Sequence, residues 1–291
     1  MRSFLLVILA AVLYAVDFAF QKIYQQNRGT GVKAGLVFNA TNGFFTAVIF
    51  LFVNGFKVEL SLYAIFMAIG MSLCLLGYTI LGFKVLKEGN MAFYTMFLMT
   101  GGMIVPYVWG VFFLEEPLSY LRIVGLLLIT VAIVLSNFHM VKSSSNIIFY
   151  CILIFFLNGG CSVISKLCQT PSVYGIVSPT NFVFLTGVTR FLLCSILLSL
   201  PKFKNSEDKT VSYGVGKTLI LIACSALVCG TAYMFQLIGA ARLPATVLYP
   251  IISGGSIIFS TIVGVLCFKE ETNIYQKIGV LLCFLGTCLF L

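Results

Sequence analysis

Charged residues are scarce in this chain, making up 9% of its 291 residues, whereas a soluble globular domain carries roughly 25%. Hydrophobic residues make up 60% of the sequence. A soluble protein of this length needs more polar surface, because even its outside must be solvated. The composition therefore excludes a soluble enzyme, a nucleic-acid-binding domain and a disordered chain.

Histidine is nearly absent as well, since His139 is the only one. The ten cysteines lie in or at the ends of apolar segments, and no Cys-x-x-Cys pair occurs. A disulfide framework or a metal site is therefore not expected. The sequence also lacks phosphate-loop, zinc-protease and nucleophile-elbow motifs. We expect no catalytic residues, no metal, no cofactor and no nucleic-acid partner.

Most of the chain consists of apolar runs of about 20 residues, the length that crosses a bilayer. These runs predict an all-α polytopic membrane protein with ten transmembrane helices, embedded in the lipid bilayer of the plasma membrane. The predicted helices cover roughly 3–26, 33–54, 61–83, 90–114, 119–138, 145–168, 179–200, 215–239, 244–268 and 273–291.

The two halves of the sequence match each other. At an offset of 155, FLEEPLSYLRI at 113–123 aligns with FKEETNIYQKI at 268–278. The same offset pairs Tyr78 with Tyr233, Lys87 with Arg242, and Tyr94 with Tyr249. Each half contains five predicted helices, so the second copy must cross the membrane in the opposite sense. We predict two inverted five-helix repeats, 1–143 and 144–291, an arrangement that is common in transporters.

Three stretches carry a family resemblance: GVFFLEEPLSYLRIVGLLLI, GVLCFKEETNIYQKIGVLLCF and TRFLLCSILLSL. In both halves the chain resembles the EamA family of the drug/metabolite transporter superfamily. The resemblance implies a ten-helix carrier of small organic molecules, with both termini in the cytoplasm. Two departures keep the substrate open: Gly43 stands where the second half has Arg190, and Asp17 stands where the family more often has Asn.

Asp17 is the only acidic residue in the interior of a predicted helix. A carboxylate in hydrocarbon is costly and indicates a functional site. Tyr14, Asp17, Gln21 and Tyr24 follow each other at spacings of 3, 4 and 3, so they form one stripe that must face protein or water. Asp17 would bind a cationic substrate group or carry a coupled proton. The alternative is a structural ion pair or hydrogen bond.

Arg190 is the only basic residue well inside a predicted helix. Its planar guanidinium suits a carboxylate or phosphate on a substrate. The alternative is a structural pair with Asp17 or with backbone carbonyls. One acid and one base in a shared cavity would suit a zwitterion such as an amino acid.

Further polar residues at helical spacing predict a polar central cavity between the halves. These are Asn42, Tyr78, Tyr94, Asn158, Tyr233, Tyr249 and Ser253. The alternative is that each of them bonds a neighbouring helix, which is worth about 0.6 kcal/mol. The pairs Glu115–Glu116 and Glu270–Glu271 are interpreted as structural caps at the starts of helices five and ten.

Together these features predict a secondary transporter, or permease, of small organic metabolites or drugs that works by alternating access. Coupling to a proton or sodium gradient is left open. The alternative is a non-transporting structural or lipid-handling membrane protein. One chain contains both halves, so a monomer would suffice and a homodimer stays open. The positive-inside rule places the termini outside, against the resemblance, so the orientation is undecided.

Overall fold

A computed structural model describes residues 2–29, 31–87, 91–137, 145–171, 175–200, 214–269 and 273–290, and every regular element within them is a helix. The helices are α1 (Arg2–Arg28), α2 (Val32–Val53), α3 (Leu62–Lys87), α4 (Met91–Phe113), α5 (Tyr120–Asn137), α6 (Ser145–Gln169), α7 (Pro179–Ser199), α8 (Val215–Arg242), α9 (Ala245–Phe268) and α10 (Ile274–Cys288). The described residues thus contain a helix for each of the ten predicted runs.

Eight of these helices are long and apolar enough to cross a membrane. The other two, α5 and α10, are apolar but shorter, with 18 and 15 residues. Four helices extend past their predicted ends: α1 continues to Arg28, α3 to Lys87, α6 to Gln169 and α8 to Arg242. A basic side chain in the last turn is favourable there, because it lies at the negative end of the helix dipole.

The most extensive helix packing joins the first half of the chain to the second. The main pairs are α2–α7, α4–α6, α1–α8, α5–α10, α3–α6, α1–α9 and α4–α9. Replacing each helix by its counterpart five helices away turns every pair of this set into itself or into another member. The two halves therefore interlock through equivalent helix contacts.

Helices α2 and α7 cross at a pair of glycines. A Cβ atom on Gly43 would lie 2.9 Å from the carbonyl oxygen of Gly187, and one on Gly187 would lie 2.8 Å from the amide nitrogen of Ala47. Small residues allow this close backbone approach inside a membrane. The same crossing brings the Arg190 side chain over α2, since its Nε atom would be 3.4 Å from a Cβ on Gly43.

Helix α4 is tied to α6 around its internal proline. Pro106 has no N–H, so the carbonyl of Gly102 loses its helical partner. The Ser162 hydroxyl of α6 donates a hydrogen bond to this carbonyl over 3.1 Å. A Cβ on Gly101 would lie 2.2 Å from the carbonyl oxygen of Phe155. Gly101 and Gly102 therefore allow α4 to pack closely against α6.

Helix α9 lies at the centre of the molecule. Its first twelve residues, from Ala245 to Ser256, are all buried. It packs against α1, α4 and α10, and its residues are prominent in the largest buried apolar cluster. A side chain that contacts the start of α9 is therefore placed to affect both halves.

Candidate functional site

The polar stripe of α1 faces the protein interior. Asp17 is 3% exposed, and its Oδ2 accepts a 2.8 Å hydrogen bond from the Gln21 amide. The Tyr14 hydroxyl donates to Oε1 of Gln236 on α8 over 2.7 Å. The sequence predicts that this stripe faces protein or water and not lipid. The packing of α1 against α8 agrees with that expectation.

A continuous series of hydrogen bonds connects Arg190 to Asp17, and we call it the central chain. Arg190 donates from a terminal guanidinium nitrogen to Oδ1 of Asn42 over 2.6 Å. The Asn42 amide nitrogen donates to Oγ of Ser225 over 3.2 Å. The Ser225 hydroxyl donates to Oδ1 of Asp17 over 2.5 Å. In each of these three hydrogen bonds the donor lies on the Arg190 side and the acceptor on the Asp17 side. This direction suits a cation at one end and a carboxylate at the other.

Each link of the central chain crosses between the two halves. Arg190 belongs to α7, Asn42 to α2, Ser225 to α8 and Asp17 to α1. Thr46, one turn along α2, also accepts a 3.2 Å hydrogen bond from the Arg190 guanidinium. Rearranging the halves would therefore break or exchange these bonds.

Asp17 and Arg190 do not form a direct ion pair within the described part of the chain, since the neutral side chains of Asn42 and Ser225 stand between them. The alternative of a structural pair between Arg190 and Asp17 therefore takes the form of a connection through two intervening side chains. The buried Nε of Arg190 has no hydrogen-bond partner among the described residues. An unsatisfied buried donor is costly, so this atom is a candidate contact for a ligand oxygen.

Tyr14, Tyr233 and Tyr249 all point into the protein interior. Tyr14 packs against the buried cluster that contains Tyr249. The Tyr233 hydroxyl is 2.9 Å from that of Ser165 on α6. The Tyr249 hydroxyl donates to the carbonyl of Ser162 over 2.5 Å. These contacts place Tyr249 of α9 near the α1 stripe and Tyr233 of α8 against α6.

Tyr78 of α3 and Tyr94 of α4 pack in a separate cluster from the other predicted tyrosines. Both side chains pack against a buried cluster formed by Val85 of α3 with Ile147, Cys151 and Ile154 of α6. A Cβ on Gly82 would lie 2.5 Å from the Tyr94 ring, so the ring of Tyr94 packs directly on α3. Tyr78 and Tyr94 therefore lie in the packing of α3, α4 and α6.

Two predicted site residues are placed differently. Asn158 donates from its amide to the carbonyl of Leu98 over 2.7 Å, so its side chain joins α6 to α4, which is the bonding alternative left open by the sequence. Ser253 is buried on α9, with 9% of its surface exposed. Of the eleven predicted residues, Asp17, Arg190 and Asn42 share the central chain, and Gln21 bonds directly to it.

Sequence reasoning missed the contribution of α8. Ser225 completes the central chain, and Gln236 holds the Tyr14 hydroxyl. A signal was present, because Ser225, Cys229 and Gln236 recur at spacings of 4 and 7 on one helical face. Small polar residues such as serine are also ordinary in apolar helices, so this stripe did not stand out.

A second buried polar cluster lies at the start of α9. Glu116, in the connection after α4, accepts hydrogen bonds from the first amides of α9: Ala245 N to Oε1 over 2.7 Å and Thr246 N to Oε2 over 2.8 Å. The side chain of Glu116 is 9% exposed. A carboxylate is favourable at a helix N-terminus, where unpaired amides and the positive end of the dipole meet.

Lys166 of α6 completes this cluster. Its Nζ donates to the carbonyls of Ala240 and Leu243, over 2.9 and 2.7 Å, at the end of α8. The same atom is 4.0 Å from Oε1 of Glu116. We call these side chains and the backbone they bind the Glu116–Lys166 cluster. It fastens the α4–α5 connection of the first half to the α8–α9 connection of the second.

The cap predicted for Glu116 was assigned to the wrong helix. Its backbone N–H bonds to the carbonyl of Gly110 over 3.0 Å, and Glu115 adopts a left-handed φ of 52°. This tight ending of α4 positions Glu116 at α9, whereas α5 begins only at Tyr120. Glu270 and Glu271 lie outside the described residues.

These features define an integral, multi-pass α-helical membrane protein whose halves share buried polar contacts. The model of the EamA-like transporter family matches residues 145–291, and the chain belongs to that family. A crystal structure of another protein has a similar fold, with a TM-score of 0.70 and 15% identity over 99% of this chain and 96% of that one. At that identity the likeness shows the fold alone. No curated protein matches the sequence.

Proposed function

We propose that the protein is a secondary transporter that moves small organic metabolites or drugs by alternating access between two inverted five-helix repeats. Membership of a transporter family supports the class. The interchange of equivalent helix contacts between the halves supports the repeat. In such carriers the substrate site lies near the membrane midplane, where the repeats meet.

The observation that carries this proposal is the central chain. It holds an acidic and a basic group apart, with two neutral side chains between them. A zwitterion such as an amino acid could replace the bridge of Asn42 and Ser225, with its carboxylate on Arg190 and its amine on Asp17. The Nε donor of Arg190, which has no partner among the described residues, would then bond a substrate oxygen.

In the proposed cycle, the Glu116–Lys166 cluster holds the two halves together at one end and keeps that end closed. It lies between connections that belong to different halves. Opening that end requires Glu116 to leave the α9 amides or Lys166 to leave the α8 carbonyls. Substrate binding must favour the opened state by its differential affinity, since a ligand shifts a conformational equilibrium only to that extent.

Asp17 is the residue through which we propose coupling to a proton or sodium gradient. Its carboxylate is held by two neutral donors, Ser225 and Gln21. A buried carboxylate without a direct cationic partner is suited to gain a proton or bind a cation during a cycle. The same group would bind the substrate amine, which makes substrate and coupling ion competitors.

Transport by the purified chain in liposomes tests the proposal. A thermal-shift screen of metabolites, including the standard amino acids, first selects a ligand, and radiolabelled counterflow of that ligand is then measured. We expect the Asp17→Asn variant to fall to the level of empty liposomes, because Asn cannot hold a proton or a cationic group in the same way.

Glu59→Gln is the matched control, since Glu59 is exposed and its contact to Asn181 uses backbone atoms. This variant should transport as the unmodified chain does. Normal counterflow by Asp17→Asn would refute the role of Asp17. Absence of any flux with every stabilising ligand would favour a non-transporting structural or lipid-handling protein. Blocking the ligand's amine or carboxylate should abolish binding, and indifference to both would exclude a zwitterion.

A further inference from the structure

A groove of about 230 Å³ lies where α1, α2 and α8 meet, and apart from Tyr24 of the α1 stripe its lining contains no residue of the predicted site or of the Glu116–Lys166 cluster. It runs from the end of α1 at Arg28 to Thr41 on α2. Its lining residues are Tyr24, Arg28, Ala34, Val37, Thr41, Val215, Thr218, Leu219 and Ile222. None of them is acidic, and the proposed transport cycle gives the groove no role.

The mouth of the groove is positive and polar. The Arg28 guanidinium donates to Oγ1 of Thr218 over 3.3 Å. Lys33 and Lys217 lie in the first turns of α2 and α8, at the same end. Neither helix has a side-chain cap at its N-terminus, so first-turn amides add positive potential. This combination suits an anion carried by a larger ligand.

The walls are apolar and open toward the bilayer. Val37 is 37% exposed, Leu219 is 43% exposed and Val215 is 69% exposed, although all three line the groove. In a membrane, such exposed apolar surface faces lipid chains. An occupant with an anionic head at the mouth and a hydrocarbon chain along the walls would match both parts.

The corresponding corner of the other half is closed. The counterparts of α1, α2 and α8 in the other repeat are α6, α7 and α3. Where these three helices meet, side chains form a packed cluster that contains Ala64, Cys168, Val177 and Phe182. Their exposures are 1%, 0%, 7% and 0%. The interlocked fold can therefore fill this corner with side chains, and the open groove is a property of these particular residues around Arg28.

We propose that the groove binds one anionic phospholipid. Its phosphate contacts Arg28 and Thr218, and one acyl chain lies between Val37 and Leu219. Basic pockets between transmembrane helices are suited to anionic head groups. The bound lipid adds contacts to three helices from both halves, so it stabilises the folded protein by mass action.

The full chain in detergent micelles tests this proposal by thermal unfolding. Phosphatidylglycerol should raise Tm by about 5 °C, and phosphatidylcholine with identical chains should not. Glycerol 3-phosphate carries the same anion without the chains and should also fail. An equal shift with phosphatidylcholine, or with glycerol 3-phosphate, would overturn the proposal.

Variants locate the lipid. Arg28→Gln should lose the phosphatidylglycerol shift and Arg28→Lys should keep most of it, whereas Lys57→Gln, an exposed lysine beyond the opposite end of α2, should keep all of it. Val37→Trp fills the groove from its lipid-facing side without changing charge. Native mass spectrometry of this variant should show no retained phosphatidylglycerol. Retention there, or a full shift with Arg28→Gln, would place the lipid elsewhere.

Discussion

The central chain and the Glu116–Lys166 cluster both join the two halves, yet they use charge differently. In the central chain, Arg190 and Asp17 are separated by two neutral side chains. In the cluster, Glu116 and Lys166 approach to 4.0 Å and bind backbone groups directly. The first arrangement leaves room for an exchange of partners, and the second fixes helix ends to each other.

This difference follows from what each charge binds. The backbone amides at the start of a helix have fixed directions. Glu116 therefore binds a rigid group that is preorganised for an anion. The partners of Asp17 and Arg190 are side chains, which can rotate toward a ligand. We therefore expect the cluster to dominate stability and the central chain to dominate ligand binding.

Removing Glu116 should have the largest effect on folding. Glu116→Ala leaves the buried Lys166 without a nearby carboxylate. It also leaves the amides of Ala245 and Thr246 without their hydrogen-bond acceptor. We expect a loss of about 3–5 kcal/mol in unfolding free energy, measured by denaturant unfolding in mixed micelles. Glu59→Ala, at an exposed acid, should change it by less than about 0.5 kcal/mol. Equal losses would remove the distinction between the cluster and ordinary surface charge.

Breaking the middle of the central chain should cost less. Asn42→Ala removes the acceptor of Arg190 and a donor to Ser225, for an expected loss of about 1–3 kcal/mol. Asn39→Ala is the matched control on the same helix, because the Asn39 side chain bonds to the carbonyl of Gly35 within α2. Thermal unfolding of both variants provides the comparison. A control as destabilised as Asn42→Ala would mean that the central chain adds little to stability.

Coupling between the two charged ends should be the smallest measurable effect. In a double-mutant cycle of Asp17→Asn and Arg190→Gln, we expect a coupling energy of about 0.5–3 kcal/mol in ligand affinity. It should lie near the lower end, since Asn42 and Ser225 transmit the interaction. The control cycle pairs Asp17→Asn with Lys57→Gln and should be additive. Additive losses in the first cycle would show that Asp17 and Arg190 act independently.

Features carried by local sequence were predictable. The apolar runs predicted each of the ten helices seen in the described residues, with end shifts such as α1 reaching Arg28. The α1 stripe containing Asp17 indicated which face meets protein. Ser225 and Glu116 were not recognised as contacts of Asp17 and α9, because each partner lies more than a hundred positions away in the chain. Nothing in a single helix specifies such a partner.

The scarcity of charge by itself indicated a membrane protein. It also identified Asp17 and Arg190 as the charged residues inside predicted helices. A backbone in hydrocarbon must satisfy its own hydrogen bonds, which leaves helices and closed barrels, and apolar runs of about 20 residues have the length of a spanning helix. Tertiary structure decided that neutral side chains bridge Asp17 and Arg190, that Glu116 caps α9, and that one corner stays open beside Arg28. Each of these depends on how the two halves interlock, because helix crossings set the distances between residues that are remote in the chain.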